Sequence, residues 1–164
     1  MKIRRYGLML AGALVGAALC LTARRWLSPF RWLDENRIQV YVLSSCRGSQ
    51  IAAREFSVEP INASIQLIPF DNYDDDLAHT LCSRVLRDVT QMRPILRLVP
   101  EKFACNWLAQ DARAVYGDVG YFPVMVFHGE VLSAPRMREI FAQFDMSISP
   151  TGDTFTVTMM PRDG

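Results

Sequence analysis

Alternating apolar and polar positions predict a mixed α/β domain that begins near residue 37. β-branched residues at every second position predict strands, and these fall at 37–43, 64–68, 124–127 and 130–132. Apolar residues spaced three or four apart predict helices, at 48–56, 77–89, 100–116 and 135–144. The order is therefore strand, helix, strand, two helices, β-hairpin and helix. Residues 154–159 alternate again, which predicts either an appended strand or a flexible end.

The first 23 residues are predicted to form a signal anchor or a signal peptide. Basic residues at 2–5 precede a nearly uninterrupted apolar run from Tyr6 to Leu21. A membrane-spanning helix needs about 17–25 residues, so this run lies at the short end of that range. Leu21 occupies the −3 position of the best cleavage site, and its bulk favours an uncleaved anchor. Residues 24–36, rich in Arg and Trp, are then a juxtamembrane linker.

Length and charge limit the remaining possibilities. The chain of 164 residues holds one compact domain, predicted at 37–146, with a C-terminal tail or extra strand at 147–164. The formal net charge is +1. Such a balance gives no general attraction to nucleic acid, and no basic stripe interleaved with aromatic residues tracks a phosphate backbone. We therefore expect no nucleic-acid partner.

Cys46 has the most definite chemistry in the sequence. It lies between the first predicted strand and the following helix. The thiolate is the reactive form of cysteine, and helix N-termini in general stabilise a thiolate. One interpretation is therefore a nucleophile in thiol–disulfide exchange, and the other is a buried structural cysteine. Ser49 stands where a dithiol enzyme carries its second cysteine, so it cannot resolve a mixed disulfide; it either caps the helix or hydrogen-bonds the thiolate.

The pairing of Cys46 with the distant Phe122-Pro123, directly before the strand 124–127, resembles thioredoxin-like proteins. This resemblance implies an α/β fold with a thioredoxin-like mixed sheet and flanking helices, preceded here by the N-terminal membrane or signal helix. It implies a cis peptide bond at Pro123, close to Cys46. It also implies that Tyr121, Phe122 and Pro123 bind an extended substrate or partner.

A narrower resemblance is based on the leader together with the segment 114–131. This segment contains Tyr121-Phe-Pro-Val-Met-Val-Phe127 and a glycine turn. It is similar to the small exported thioredoxin-like proteins of integrating conjugative elements. The resemblance implies an extracytoplasmic protein partner, within the conjugal transfer machinery. It implies a location at the bacterial inner membrane facing the periplasm, or in the periplasm if the leader is cleaved. It implies no catalytic residues and no cofactor.

Two other cysteines, Cys82 and Cys105, each fall on a predicted helix. An extracytoplasmic setting allows them to form a disulfide, whereas the competing interpretation leaves all three domain cysteines reduced. The cysteines and the two histidines lack close ligand spacing, so we expect no metal site. The acidic cluster 74–76 predicts the start of a helix, with a carboxylate metal site as the alternative.

Three functions compete on this sequence. The leading one is assistance in folding or assembly of envelope proteins, by non-redox binding of a partner at the groove beside Pro123. The alternative is a monothiol oxidoreductase or isomerase that uses Cys46. A peroxide-reducing enzyme ranks third, because no threonine and arginine are placed to activate a peroxide around Cys46.

Overall fold

A computed structural model describes the backbone of residues 2–151 and 154–159, and the side chains of residues 13–148 and 157–159. Six α-helices, six strands and two short 3-10 helices, Pro29–Trp32 and Pro94–Leu98, are present in these parts of the chain. The helices are α1 Lys2–Leu27, α2 Arg47–Glu55, α3 Ile61–Ser64, α4 Asp76–Met92, α5 Glu101–Tyr116 and α6 Ala134–Gln143. The strands are β1 Ile38–Val42, β2 Ile65–Pro69, β3 Val124–Phe127, β4 Glu130–Val131, β5 Met146–Thr151 and β6 Thr154–Met159.

The main sheet has four strands in the order β2-β1-β3-β4. β1 and β2 are parallel, with Ile38 opposite Ile65. β3 runs antiparallel to β1, and the last pair of that ladder is Tyr41 with Val124. β4 follows β3 through the turn at His128 and Gly129, both of which have positive φ. Helices flank this mixed sheet, so the predicted mixed α/β class is confirmed and the strand order is compatible with a thioredoxin-like arrangement.

Each face of the sheet has its own hydrophobic core, because side chains alternate between the faces along a strand. Tyr41, Ile68 and Val126 pack with α4 and α5 on one face. Ile38, Val40 and Met125 pack with α2 and α6 on the other face. The strands are therefore buried from both sides, as expected for a sheet covered by helices.

The acidic cluster marks the start of α4, as predicted. The Asp75 side chain accepts a hydrogen bond from the Ala78 N–H at 3.0 Å, which satisfies one of the amides left free at a helix N-terminus. Asp76 lies in the first turn of α4, where a negative charge suits the helix dipole. Asp74 pairs instead with Lys102 of α5 at 2.8 Å. The three carboxylates thus act separately.

The predicted tail contains a second, two-stranded sheet. β5 and β6 pair in antiparallel register from Met146 with Met159 to Thr151 with Thr154. Met146, at the start of β5, is 1% exposed and belongs to the core that contains α2 and α6. Val157 of β6 joins the same core. Of the two alternatives predicted for residues 154–159, the appended strand is the one observed. Its pairing with β5 was not predicted from the sequence.

The predicted anchor spans residues 1–23, and the structure describes its side chains only from residue 13 onward. The backbone of α1 is helical to Leu27. Over the residues that are described, none of the helices combines the length and apolar character needed to cross a bilayer. The segment after α1 packs on the domain: Ser28 is buried and its hydroxyl donates to the Asp111 carboxylate of α5, while Leu33 enters the core.

Candidate functional site

Cys46 lies at the turn between β1 and α2. Its N–H donates to the Leu43 carbonyl at 3.0 Å, and its carbonyl accepts from the Gln50 N–H at 3.0 Å. Cys46 is therefore the N-cap residue of α2, in extended conformation, and no side chain caps the helix. Its own side chain is half-buried. The predicted position at a helix N-terminus is confirmed.

Side chains from two other segments hold this turn in place. The Gln50 amide donates to the Ser44 carbonyl at 2.7 Å. The Ser44 N–H donates to the Asp71 carboxylate at 2.5 Å, across 27 residues of sequence. Asp71 follows β2, and the ends of neighbouring parallel strands meet at one edge of a sheet. Its place two residues after the end of β2 was the signal for this contact, which the sequence interpretation missed.

The segment before β3 forms the opposite wall of the site. The Cys46 thiol lies 3.6 Å from the Phe122 carbonyl oxygen and donates to it. The Phe122-Pro123 peptide bond is cis, as the resemblance implied. The Phe122 ring packs on Phe70, with centroids 4.8 Å apart, which fixes this segment to the core. The structure thus brings Cys46 and the predicted binding segment together.

Gly48 permits the close approach of these two walls. A Cβ atom at this position would lie 3.3 Å from the Phe122 carbonyl oxygen, 3.5 Å from Pro123 Cδ and 3.8 Å from Cys46 Sγ. The first distance is tighter than ordinary van der Waals contact, so a side chain here must displace the backbone of the opposite wall. Sequence reasoning gave Gly48 no part in the site, although glycine beside a cysteine at a helix start is the relevant signal.

Ser49 is buried in the first turns of α2, with 0% exposure. Its hydroxyl has no hydrogen-bond partner among the described residues. Both expected roles, the helix cap and the bond to the thiolate, are therefore wrong in this structure. The reason is positional: Ser49 lies inside α2 rather than at its N-cap, and its side chain is enclosed by the core.

Tyr121 supplies the exposed part of the predicted binding segment, with 53% of its surface accessible. Its N–H donates to the Val119 carbonyl at 2.9 Å. Because the ladder between β1 and β3 ends at Tyr41 and Val124, residues 121–123 lie beyond the paired part of the sheet. An exposed aromatic side chain and a bent backbone segment outside the β1–β3 ladder therefore flank the half-buried thiol.

The other cysteines are placed differently. Cys82 of α4 and Cys105 of α5 form a disulfide with an S–S distance of 2.05 Å, which is the pairing interpretation of the sequence. Both are buried, whereas Cys20 and Cys46 are free thiols. Within the described residues, no cluster of three His, Cys, Asp or Glu side chains is arranged to hold a metal ion.

Tyr41 lies in β1, the strand that precedes Cys46, and its surroundings perturb the ionisation of its hydroxyl. Burial, followed by the charge of the neighbouring Tyr116, raises the pKa of Tyr41 far above its ordinary value. Its hydroxyl donates to the Gln39 side-chain carbonyl at 2.9 Å. Tyr41 therefore stays neutral and serves the core rather than acid–base chemistry.

Comparison with known protein families, with curated proteins and with solved structures found no match to this chain. The geometry of the site combines a half-buried thiol, a neutral carbonyl partner and the exposed side chain of Tyr121.

Proposed function

We propose that the chain is a thioredoxin-like protein that binds an extended segment of a partner protein at the edge formed by Cys46 and residues 121–123. The observation that carries the proposal is the approach of the Cys46 thiol to the Phe122 carbonyl at 3.6 Å. This contact links the start of α2 to residues 121–123, which precede β3 and lie outside its ladder with β1. Binding, rather than redox chemistry, is the proposed activity.

The partner segment is expected to lie in extended conformation against residues 121–123, which precede β3 and fall outside its ladder with β1. Extended peptides bind through main-chain hydrogen bonds, and their side chains then enter neighbouring pockets. Tyr121 provides a large apolar ring with a polar hydroxyl, a combination that favours protein interfaces. Its exposed fraction of 53% leaves it available for such a contact.

Two features support binding without disulfide exchange. Ser49 occupies the position of a second cysteine and is enclosed, so it can neither attack nor release a mixed disulfide. The thiol of Cys46 donates to a neutral carbonyl, and no described charged side chain hydrogen-bonds it. Activated cysteines typically lie beside a cationic group.

The proposed location and partner follow from the disulfide and from the family resemblance. Disulfides persist in oxidising compartments, and the Cys82–Cys105 pair supports a domain outside the cytoplasm. The resemblance to proteins of integrating conjugative elements suggests a partner among envelope or conjugal transfer proteins, with the N-terminal segment at the inner membrane. The proposed role is assistance in their folding or assembly.

Site-specific crosslinking in cells that naturally produce the chain tests the binding proposal. A photoreactive phenylalanine analogue at Tyr121 is expected to capture a discrete partner, whereas the same analogue at the equally exposed Val58 is expected to capture none. The adduct at Tyr121 should persist when Cys46→Ser is added. Equal capture from both positions, or from neither, would refute binding at this edge.

The alternative is monothiol exchange by Cys46, which its half-exposed position at the α2 N-terminus favours. In that reaction the thiolate attacks a substrate disulfide, and an external thiol must resolve the mixed disulfide. Under this alternative, Cys46→Ser abolishes disulfide reduction or isomerisation. Retention of function by Cys46→Ser excludes this alternative.

A further inference from the structure

A polar cavity lies at the end of the sheet opposite Cys46. It has a volume of about 450 Å³ and is bounded by α4, by β2 and by the segment between α2 and β2. Small-molecule sites commonly have volumes of this order. Arg37 directly precedes β1, whereas Cys46 follows it, and β1 and β2 are parallel. The cavity is therefore separate from the edge described above.

The charge of the cavity wall is positive. Three guanidinium groups line it, those of Arg37, Arg84 and Arg87, together with the carboxylate of Asp88. One of the three positive charges is balanced by Asp88, so two remain. The whole chain has a formal net charge of only +1. The excess at this cavity is thus a local property and attracts anions there.

Arg37 holds the wall of the cavity in place. Its guanidinium donates to Asp88 at 2.9 Å and to the carbonyls of Asn62 and Ile65 at 2.5 and 2.6 Å. These bonds connect α4 to α3 and to the start of β2. Arg37 is therefore committed to the protein, and the charge available to a ligand comes from the other two arginines.

Arg84 and Arg87 are available for such a ligand. They lie three residues apart on α4 and so point to the same side of the helix. Arg84 donates to the Ser57 hydroxyl at 3.2 Å, a neutral partner. Arg87 forms no ion pair with any side chain that the structure describes. Two exposed guanidinium groups therefore face solvent beside the cavity without a counter-ion among the described side chains.

Gln66 gives a second, independent indication of a ligand. It lines the cavity from β2 and is only 2% exposed. Neither its side-chain oxygen nor its side-chain nitrogen has a hydrogen-bond partner within the described part of the chain. Buried amide groups in native proteins are nearly always hydrogen-bonded, to protein, to ordered water or to a bound group. A polar ligand in the cavity would supply the missing partners of Gln66.

We propose that this cavity binds a small molecule that carries a phosphate-type dianion. The guanidinium forks of Arg84 and Arg87 bind the phosphate oxygens, because paired donors in one plane match oxyanions and two positive charges balance the dianion. The Gln66 amide donates to and accepts from hydroxyl or carbonyl groups on the rest of the molecule. The proposal does not depend on the function of the Cys46 edge.

Calorimetric titration of the full chain tests this site, in phosphate-free buffer of constant ionic strength. The probes are inorganic phosphate, glycerol phosphate and glycerol. Both phosphates are expected to bind saturably with one site per chain, and glycerol is not. Tighter binding of glycerol phosphate identifies an ester as the ligand, whereas equal affinity identifies free phosphate; both results support the site.

The charge-matched control separates a built site from general attraction. Arg84→Gln with Arg87→Gln should weaken both phosphates by about tenfold or more, since two charge-assisted contacts are lost. The pair Arg97→Gln with Arg138→Gln removes two exposed charges elsewhere and should change the affinity less than about twofold. Absence of saturable binding, or equal loss in both double variants, would overturn the proposal.

The Gln66→Leu variant tests whether the Gln66 amide contacts the part of the ligand other than the phosphate. This variant removes a buried amide that has no partner, so it is expected to fold as well as the parent. It should weaken glycerol phosphate by about threefold or more, because the ester loses a hydrogen-bond partner, and leave inorganic phosphate nearly unchanged. Equal affinity of the variant and the parent for glycerol phosphate would exclude Gln66 from ligand binding.

Discussion

The cysteines of this domain occupy two environments with opposite demands. Cys82 and Cys105 are 0% and 2% exposed and join α4 to α5 through a disulfide. Cys46 is half-buried, and its thiol bonds to one backbone carbonyl at the end of the sheet. The two disulfide sulfurs are thus buried in the core that contains α4 and α5. The Cys46 sulfur is only partly buried and contacts the backbone that is proposed to bind a partner. The difference separates residues that stabilise the fold from residues that offer a surface.

Removal of the disulfide has the largest expected effect on this contrast. The Cys82→Ala and Cys105→Ala double variant opens a link between residues 23 apart in sequence. The free energy of unfolding should fall by about 3 kcal/mol, the stabilisation typical of a loop of this length. Urea denaturation of the double variant and the parent measures it. A loss below about 1 kcal/mol would mean that the disulfide contributes little to the stability of the fold.

Closing the edge with a side chain has the next largest effect. Gly48→Val should cost about 2 kcal/mol, because its Cβ meets the Phe122 carbonyl at 3.3 Å and the wall must move. The crosslink from Tyr121 should weaken with it. Gly120→Val is the matched control, since a Cβ there meets nothing within 4 Å. Urea denaturation of both variants gives the comparison, and equal costs would contradict the close approach as the cause.

Sequence patterns predicted the order of the core elements, from alternation in the strands and apolar spacing in the helices. The cis bond at Pro123 and its closeness to Cys46 were expected only from the resemblance to thioredoxin-like proteins, and the structure has both. The disulfide was one of two alternatives, because the helices carrying Cys82 and Cys105 were predictable but their contact was not. Strands and helices, which depend on neighbouring residues, could therefore be predicted from the sequence.

Contacts between distant residues were not predictable in the same way. The Asp71 carboxylate reaches Ser44 across 27 residues. Arg37 reaches Asp88 across 51 residues. Ser49 appeared suited to cap α2, yet tertiary packing encloses it. Such contacts depend on how whole elements pack, and packing overrides the local preference of one residue.

Alkaline pH is expected to lower the free energy of unfolding by a smaller amount, through Tyr41 in the core that contains α4 and α5. The pKa of Tyr41 is raised in the folded chain from its ordinary value of 10.0. Below pH 10 both states keep the proton, so stability is unaffected. Above pH 10 the unfolded chain loses it while the folded chain retains it, and stability should fall by up to about 1.4 kcal/mol per pH unit.

Urea denaturation at pH 8 to 11 measures this dependence, with Tyr41→Phe as the control. Tyr41 packs in the same core as Cys82 and Cys105, so the effect belongs to the stabilising region. The phenylalanine variant should show a shallower decline, because only the remaining groups titrate. Identical slopes for the variant and the parent would mean that Tyr41 does not carry the dependence.

Cys46→Ser is expected to have the smallest effect on stability and so gives the sharpest test of the contrast. The variant loses one weak thiol–carbonyl bond at 3.6 Å, and serine can make the same kind of bond. The free energy of unfolding should stay within about 0.5 kcal/mol of the parent. Cys20 is also a free, exposed thiol, so Cys20→Ser is the background for every measurement.

Alkylation in that background reports the accessibility of each sulfur directly. The folded, oxidised chain should take one label, at Cys46, because the disulfide protects Cys82 and Cys105. Denaturation with a reductant should raise the number to three. If Cys46→Ser instead destabilised the chain by more than about 2 kcal/mol, the thiol would belong to the core like the other two. Residues 121–123 would then face a structural cysteine, and the proposed binding edge would lose its central feature.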